Sequence, residues 1–340
     1  MKKRFRGLTL VIAGLLASFG FGACKGGAET VTVYMPDGAP ALAFAKMMSV
    51  GREDVEFRVV NASVIATKVT NTDMDKNADF CVMPVTAAAK VLGQKDDYRM
   101  LGLVTHGNLY MISKDTTSYT KDNLSSLLGK TVGVLQINSV PGLTFKTVLN
   151  RNGVAWQELK NDVAVSEEKV NLRAVTDANS IGTMTDVDCF VLAEPAVTVQ
   201  VAKNGFTIVG DLQALYAQEG QQSGYPQAAL VAKKEFVEDK KDWTESFLKA
   251  AAVSMTEVVT MSGEQIVAAV TANLEDTGYE TTLKAPFLTA TTLSRCGIRF
   301  SQAADCKFEV HSFLTEMIEV QADSTKLPNV SFYDSTDWGL

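Results

Sequence analysis

The 340-residue sequence contains few of the side chains that most often perform catalysis or bind metals. It has only two histidines, His106 and His311, and five cysteines. It contains no HxH, HExxH or CxxC pattern and no EF-hand loop, so we predict no metal site. Neither a phosphate-binding loop nor a GxGxxG motif follows any apolar run, so we also predict no cofactor.

The sequence also lacks a nucleophilic catalytic arrangement. A Ser-His-Asp triad would have to use His106, and no GxSxG turn accompanies that residue. His106 ends the apolar run YRMLGLVT, whereas His311 lies in a late helical segment. We therefore predict a protein that is not an enzyme and has no catalytic residues. The alternative is an enzyme that acts on a small nitrogen heterocycle, with His106 and Glu194 as acid–base residues.

The cysteines fall into two groups. Cys81 and Cys189 lie in the apolar runs FCVMP and CFVLAEP, where a thiol is expected to pack as a small buried hydrophobe. Cys296 and Cys306 are the pair that an exported protein could join in a disulfide, and the sequence leaves this open.

The amino-terminal segment has the pattern of an export signal. Basic side chains at positions 2, 3, 4 and 6 precede an uncharged apolar run over residues 8–21, which is too short to span a bilayer comfortably. Gly22 and Ala23 precede Cys24, which resembles the lipobox of bacterial lipoproteins, in which the cysteine is acylated. We predict a signal peptide over 1–23, lipidation at Cys24 and a short tether over 24–29. The alternative is an ordinary signal peptide followed by an incidental thiol.

Basic residues are also in deficit in the rest of the chain. Residues 1–23 contain four of the 32 basic residues and no acid, so their removal leaves 28 basic against 39 acidic side chains, a net charge of -11. Such a charge argues against binding to nucleic acid or to anionic lipid headgroups. The roughly 315 residues that remain are more than one core usually holds, which favours two domains.

Short apolar runs rich in β-formers alternate with helical patterns along most of the chain. TVTVYMP precedes APALAFAKMM, and the alternation restarts after the polar stretch DTTSYTKDN with KTVGVLQ and PGLTFKTVLNRNG. This predicts an α/β fold with two mostly parallel sheets flanked by helices. We place one lobe at 30–115 and 224–340 and the second, inserted lobe at 116–223.

Small and polar side chains follow the predicted strands. In open α/β sheets, ligands bind beyond the carboxyl ends of the strands, where helix N-termini present free N–H groups. These strand ends, with the return crossing near residue 225, supply the predicted ligand-binding residues: Asp37, Gly38, Ala39, Asn61, Thr86, Thr105, Asn138, Ser139, Glu194 and Tyr225.

Two of these residues have alternative roles. Glu194 could accept hydrogen bonds from a ligand, or it could cap the helix that follows Pro195. Tyr225, in the segment SGYPQ, could stack on a ligand ring or wedge the hinge between the lobes. The sequence leaves both choices open.

Six segments together resemble a known protein family. They are YMPDGAPALAFAKMM, LSSLLGKTVGVLQINSVPGLTFKTVLNRNG, VDCFVLAEPAVTVQVAKNG, SGYPQAALVAKKEF, RCGIRFSQAADCK and KLPNVSFYD, and they span most of residues 31–333. Their order and spacing resemble the substrate-binding lipoproteins of ABC importers, in the type II periplasmic-binding group that includes sulfonate, nitrate and thiamine-pyrimidine binders. Related pyrimidine-synthesising enzymes carry a cysteine-rich motif that is missing from this sequence.

The resemblance implies a two-lobed clamp, and we expect it to act as a monomer held outside the cytoplasm by a lipid anchor at Cys24. Such a clamp closes on one small polar or anionic solute and delivers it to a membrane permease. The resemblance places ligand contacts at residues 37–39, at Asn138 and Ser139, and at Glu194. A sensory lipoprotein that reports ligand binding to a membrane receptor is a third interpretation.

Overall fold

The computed structural model describes residues 30–160, 163–217, 224–276 and 278–340. The predicted signal peptide (1–23), Cys24 and the tether (24–29) lie outside these residues. No helix in the described part of the chain combines the length and the apolar character needed to cross a membrane.

Twelve strands form the two sheets of the described chain. In chain order they are β1 (Val31–Pro36), β2 (Val55–Val60), β3 (Phe80–Pro84), β4 (Tyr98–His106), β5 (Leu109–Ser113), β6 (Thr131–Leu135), β7 (Trp156–Glu158), β8 (Val170–Val175), β9 (Cys189–Ala193), β10 (Thr207–Asp211), β11 (Pro226–Lys233) and β12 (Ile298–Gln302).

The α-helices are α1 (Ala39–Val50), α2 (Val85–Val91), α3 (Val140–Arg151), α4 (Ala196–Asn204), α5 (Leu212–Tyr216), α6 (Lys234–Asp239), α7 (Lys241–Glu257), α8 (Gly263–Ala272), α9 (Ala290–Arg295) and α10 (Ala303–Val320). Short 3₁₀ helices cover Ala62–Val69, Met74–Lys76, Lys121–Leu127, Ala178–Thr183, Val258–Thr260, Ala285–Phe287 and Val330–Phe332.

Each sheet has six strands and a mixed but mainly parallel arrangement. The first sheet has the order β12-β4-β11-β3-β1-β2, and the second has the order β10-β5-β9-β6-β8-β7. In the first sheet only β11 and β12 run against the other four strands. In the second sheet only β5 is reversed. The α/β class and the two mainly parallel sheets predicted from the sequence are confirmed.

The chain passes from the first sheet to the second earlier than the predicted lobe boundary at residue 116. β5 (Leu109–Ser113) is hydrogen bonded to β9 and β10 of the second sheet. The reason is that LYMIS forms a fully buried strand of the second sheet, and the polar stretch DTTSYTKDN begins only after that strand ends. The chain returns to the first sheet with β11.

Local sequence explains how β1 forms and how one helix beside each sheet begins. In β1, Val31, Val33 and Met35 alternate with half-buried residues, as expected for the pleat of a strand. α1 and α3 each have proline in the second helical position, where a missing N–H costs little because it would have no partner within the helix. The two sheets therefore present similar strand-to-helix turns.

The apolar core is continuous between the sheets. One buried cluster includes Leu103 of the first sheet, Val132 of the second, and Phe145 and Phe313 from the helices between them. α10 packs on both β4 and α3, so the last long helix joins the two halves. Separate clusters fill the outer faces of the first sheet, against α1, α7 and α8, and of the second sheet, against α4.

The four cysteines of the described chain are free and buried. Cys296 and Cys306, the pair considered for a disulfide, are therefore not joined. The Cys296 thiol lies 3.3 Å from the carbonyl oxygen of Thr292, and the Cys306 thiol lies 3.5 Å from that of Ser301. Burial raises the pKa of all four thiols, so each packs as a neutral small hydrophobe.

Candidate ligand-binding site

A cavity of about 230 Å³ lies where the carboxyl ends of strands from both sheets meet. Pro36 ends β1 and Pro84 ends β3 in the first sheet, while Leu135 ends β6 and Ala193 ends β9 in the second. Strand ends of α/β sheets are common ligand sites. Six of the residues predicted from strand ends line this cavity: Asp37, Gly38, Ala39, Thr105, Ser139 and Glu194.

Two helices begin at the cavity without a side-chain cap. Gly38 is the N-cap of α1, and Ser139 is the N-cap of α3, yet neither helix has a side-chain cap hydrogen bond. The first turn of such a helix presents unsatisfied N–H groups and a partial positive charge. These two helix starts can therefore receive an oxygen atom or an anionic group of a ligand.

The backbone beside the second helix start is strained. Gln136 has a φ of 56°, and it is the non-glycine residue with positive φ among the described residues. Such a conformation is uncommon for a residue with a side chain, and it is found often at functional sites. Gln136 also lines the cavity.

The carboxylate of Asp37 is occupied by neighbouring groups rather than open to a ligand. It accepts hydrogen bonds from the hydroxyls of Tyr279, Thr281 and Thr282 at 3.1, 2.8 and 2.7 Å, and from the Thr282 N–H at 2.6 Å. The Gly38 N–H donates to it as well, at 3.0 Å. Asp37 thus holds the segment around residues 279–282 against the first sheet.

That segment continues into a wall of the cavity. Lys284, Phe287 and Leu288 line the cavity together with Thr282. The exposed Lys284 Nζ donates to the carbonyl oxygen of Thr281 at 3.2 Å. No carboxylate within the described residues forms an ion pair with Lys284.

Glu194 lines the cavity, but its carboxylate caps the helix that follows. It accepts hydrogen bonds from the Thr198 N–H at 3.0 Å and from the Thr198 hydroxyl at 2.9 Å, in the first turn of α4. Arg295 lies 3.7 Å from Glu194 Oε1. Burial raises the pKa of Glu194, and the Thr198 hydrogen bonds and Arg295 oppose this rise. Of the two alternatives left open by the sequence, the geometry matches the cap.

Asn108 and Gln227 lie where the chain passes between the two sheets. Asn108 is at the passage from the first sheet to the second, and Gln227 is at the return to the first sheet. Asn108 lies between β4 and β5 and is almost completely buried. Its Nδ2 donates to the Glu194 carbonyl oxygen at 3.2 Å, and its Oδ1 accepts a hydrogen bond from Gln227 Nε2 at 2.6 Å. Both residues line the cavity. An amide pair of this kind, in which Asn108 is buried and Gln227 is half-buried, can fix orientation at a ligand site.

Three predicted residues lie outside the cavity lining. Asn61 accepts hydrogen bonds from the N–H and hydroxyl of Ser63 at the start of a 3₁₀ helix. Thr86 is buried in α2, and Asn138 is exposed in the turn before α3. The position of a residue after a predicted strand indicates which turns lie near a ligand site. It does not indicate which side chain of such a turn faces the cavity.

Tyr225 is also outside the lining. It is completely buried, its ring stacks on Phe313 with centroids 6.0 Å apart, and its hydroxyl donates to Gln213 Oε1 at 3.1 Å. The same Gln213 oxygen accepts the Leu109 N–H at 2.9 Å. Tyr225 therefore packs between the two segments in which the chain passes from one sheet to the other. This matches a tyrosine that wedges the hinge between the lobes and not one that stacks on a ligand ring.

The geometry of His106 does not match an acid–base role at the cavity. His106 is buried and is not among the lining residues. Its Nε2 lies 3.1 Å from the Ser301 hydroxyl, and burial lowers its pKa to about 3. The ring is therefore neutral at physiological pH. In the described part of the chain, no three His, Cys, Asp or Glu side chains are grouped so as to hold a metal ion.

The sequence reasoning missed several lining residues. Gln227 lies two positions after Tyr225, so the segment SGYPQ does reach the cavity, but through its glutamine and not through its tyrosine. Asn108 lies in the short connection from β4 to β5 and not at the start of a helix. Residues 282–288 belong to a distant part of the chain and do not follow a strand, so the ends of strands could not predict them.

Several solved structures share this architecture. An ABC transporter protein from Parabacteroides distasonis is 18% identical, with a TM-score of 0.69 over 91% of this chain and 100% of that chain. The periplasmic aliphatic sulphonate binding protein of Escherichia coli is 13% identical, with a TM-score of 0.60 over 88% and 93% of the two chains.

A third structure extends the comparison to another bacterium. The ligand binding component of an ABC-type import system from Staphylococcus aureus, solved with zinc bound, is 9% identical, with a TM-score of 0.58 over 90% and 96% of the two chains. No protein-family model matches the sequence, and no curated protein matches it either. The chain therefore has the fold of the substrate-binding proteins of ABC importers, which is the fold that the sequence resemblance predicted.

Proposed function

We propose that this protein is the extracytoplasmic solute-binding component of an ABC importer. It captures one small polar or anionic solute, of the sulfonate, nitrate or thiamine-pyrimidine kind, between two lobes, and it delivers that solute to a membrane permease. The limits of the lobes are those of the sheets, with the insertion beginning at β5. The protein is not an enzyme and acts as a monomer tethered through a lipid on Cys24.

The observation that carries this proposal is the cavity between the two sheets. Two uncapped helix starts, at Gly38 and Ser139, open into it from opposite sheets, which provides N–H donors for a solute on both sides. Its other walls are mainly prolines, alanines and larger apolar side chains. The walls thus supply binding surface without a reactive group, as expected of a carrier.

Ligand binding can be tested with a variant that fills the cavity. Ala62 is exposed and lines the cavity, so Ala62→Trp places a large ring in the space of the solute. Ala155→Trp is the matched control, because Ala155 is exposed and is not a lining residue. Calorimetric titration with solutes selected in a thermal-shift screen should show at least a tenfold weaker affinity for Ala62→Trp and no change for the control. Unchanged affinity in both variants would contradict the assignment of the cavity.

The anchor and the delivery step need separate experiments. Cys24→Ser should release the protein from the membrane fraction, whereas Cys306→Ser, which alters a buried thiol, should leave it there. Stimulation of a reconstituted permease and ATPase by the solute-loaded protein would support an importer role. Activation of a membrane kinase instead would support the sensory interpretation.

A further inference from the structure

Gln227 occupies an irregular position in β11, directly at the cavity. Pro226 pairs with His106 and Ala228 with Thr105, so Gln227 is the extra residue of a bulge between two adjacent residues of β4. A bulge changes the direction of a side chain and is frequent beside functional sites. Here it places Gln227 among the residues that line the cavity.

The hydrogen bonds of Asn108 fix the orientation of the Gln227 amide. Because Asn108 Nδ2 donates to the Glu194 carbonyl oxygen, its Oδ1 is the atom that faces Gln227, and that oxygen requires a donor. Gln227 must therefore turn its Nε2 toward Asn108. The other amide atom, Gln227 Oε1, is buried and has no hydrogen-bond partner among the described residues.

A buried carbonyl oxygen without a partner is unfavourable, so this atom calls for a hydrogen-bond donor from the bound molecule. A cationic donor such as an ammonium group also needs an open carboxylate. The two acids of the lining, Asp37 and Glu194, are both engaged by several hydrogen bonds from neighbouring groups. The donor that fits is therefore neutral.

The remaining surroundings limit the rest of the molecule. Pro84, Leu135 and Phe287 are among the apolar walls, which suit a compact apolar body more than a polyol. The uncapped starts of α1 and α3 supply N–H groups, and Lys284 supplies a positive charge. These groups suit an oxygen acceptor on the same molecule.

Building on the proposed function, we infer that the cavity selects a neutral solute with an N–H group, which donates to Gln227 Oε1. The class includes carboxamides, sulfonamides and amino-substituted rings with an oxygen or nitrogen acceptor at the other end. Oxyanions that lack a donor, such as a fully ionised sulfonate or nitrate, would leave Gln227 Oε1 without a partner, and they are predicted to bind more weakly.

Pairs of compounds with matched shapes test this selection directly. Benzenesulfonamide is compared with benzenesulfonate, and benzamide with benzoate, by calorimetric titration of the full mature chain. Loss of one buried hydrogen bond changes affinity roughly tenfold, so the N–H member of each pair should bind about tenfold more tightly. Gln227→Met, which removes the acceptor at similar volume, should abolish that difference. Gln94→Met, at the protein surface, should keep it.

The other outcomes separate this inference from the proposed function. Equal or tighter binding of the oxyanions, or a preference that survives in Gln227→Met, overturns the inference and leaves a solute-binding protein. If Gln227→Met does not fold, Gln227→Asn withdraws the acceptor by one methylene and must show the same loss. If no test compound binds, native mass spectrometry of the purified protein decides: a retained solute with a neutral N–H supports the inference, and one without it overturns it. A protein that neither binds nor retains any solute contradicts both proposals.

Discussion

Arg295 Nη1 lies 3.7 Å from Glu194 Oε1 and joins the two halves of the molecule beside the cavity. Arg295 ends α9, whose Leu293 is in the core of the first sheet, whereas Glu194 follows β9 of the second sheet. Thr292 of α9 also donates to the Thr198 hydroxyl at 3.3 Å. α9 and the start of α4 therefore meet on one side of the cavity. The contacts are made to Glu194 and Thr198, whose mutual hydrogen bonds also cap α4.

The buried state of Glu194 predicts how stability depends on pH. Its pKa is raised in the folded protein, mainly by burial, so the folded state holds this proton more tightly than the unfolded state. Stability therefore falls as pH rises from about 4.3, the unfolded value, through the folded pKa. Glu194→Gln removes this effect. Urea unfolding at a series of pH values should show the variant gaining stability relative to wild type between pH 4 and 7.

The control for this measurement is Glu280→Gln, an exposed acid outside the cavity lining. It loses a carboxyl group at the protein surface and so measures the effect of the substitution itself, apart from burial. A difference between Glu194→Gln and wild type that stays constant with pH, or reverses, would contradict the prediction.

His106 provides a second pH prediction with the opposite sign. Its folded pKa is lowered to about 3 by burial, below the ordinary value of 6.5. The unfolded state therefore binds a proton first, and stability falls as pH drops below 6.5. Between pH 7 and pH 5 this amounts to about 2 kcal/mol, and it should be missing in His106→Gln. The NMR signal of the ring, assigned with His311→Gln, should not titrate between pH 8 and 5.

Tyr225→Phe separates the wedge from the ligand-stacking role. Loss of the hydroxyl removes one buried hydrogen bond to Gln213, so the free energy of unfolding should fall by about 1 kcal/mol. Affinity for the solute should change less than twofold, because the ring is not part of the cavity lining. Urea unfolding and titration calorimetry measure the two effects. A tenfold loss of affinity without loss of stability would show that the tyrosine contacts the solute.

The turns that meet at the cavity could be predicted from sequence because periodicity locates strands and the carboxyl ends of parallel strands share one edge. This was sufficient for Asp37, Ser139 and Glu194. It was not sufficient for their roles, since the partners that occupy Asp37 come from residues 279–282, more than 240 positions later. Contacts of that kind depend on tertiary packing and leave no local pattern.

The same limit explains Gln227. Its importance comes from a bulge in the pairing of β11 with β4 and from an amide orientation that Asn108 determines. Neither the register of a strand pair nor the direction of an amide can be read from one sequence. Sequence favours the nearby Tyr225 instead, because an aromatic side chain can stack on a ligand ring and is recognisable by residue type alone.

Lys146 is a buried charge whose removal should be costly. Its side chain is inaccessible to solvent, and its Nζ lies 2.6 Å from Glu158 Oε1 and 3.3 Å from Gln321 Oε1, at the end of α10. Lys146→Met removes the nearer cationic partner of Glu158, which keeps only the exposed Lys160 at 3.7 Å, and should lower the free energy of unfolding by about 2 kcal/mol. The double variant with Glu158→Gln should recover part of this loss. Additive losses in urea unfolding would mean that the pair is not coupled.

Asp37 should influence solute binding through the wall that it holds in place. Asp37→Ala removes the acceptor of the hydrogen bonds from residues 279–282, so stability should fall by about 2 kcal/mol. Amide hydrogen exchange in residues 279–288 should accelerate, and affinity should fall at least tenfold because Phe287 and Leu288 line the cavity. Asp37→Asn should show smaller effects, since it retains one acceptor oxygen.

Asp73→Ala is a suitable control for Asp37→Ala, because the exposed Asp73 also accepts a backbone hydrogen bond near the start of a short helix, at 3.3 Å from the Asp75 N–H. It should leave the exchange of residues 279–288 and the affinity unchanged. If Asp37→Ala weakens binding while exchange in that segment stays at the wild-type rate, the segment is not what Asp37 controls. The carboxylate would then contact the solute directly, as the sequence alone predicted.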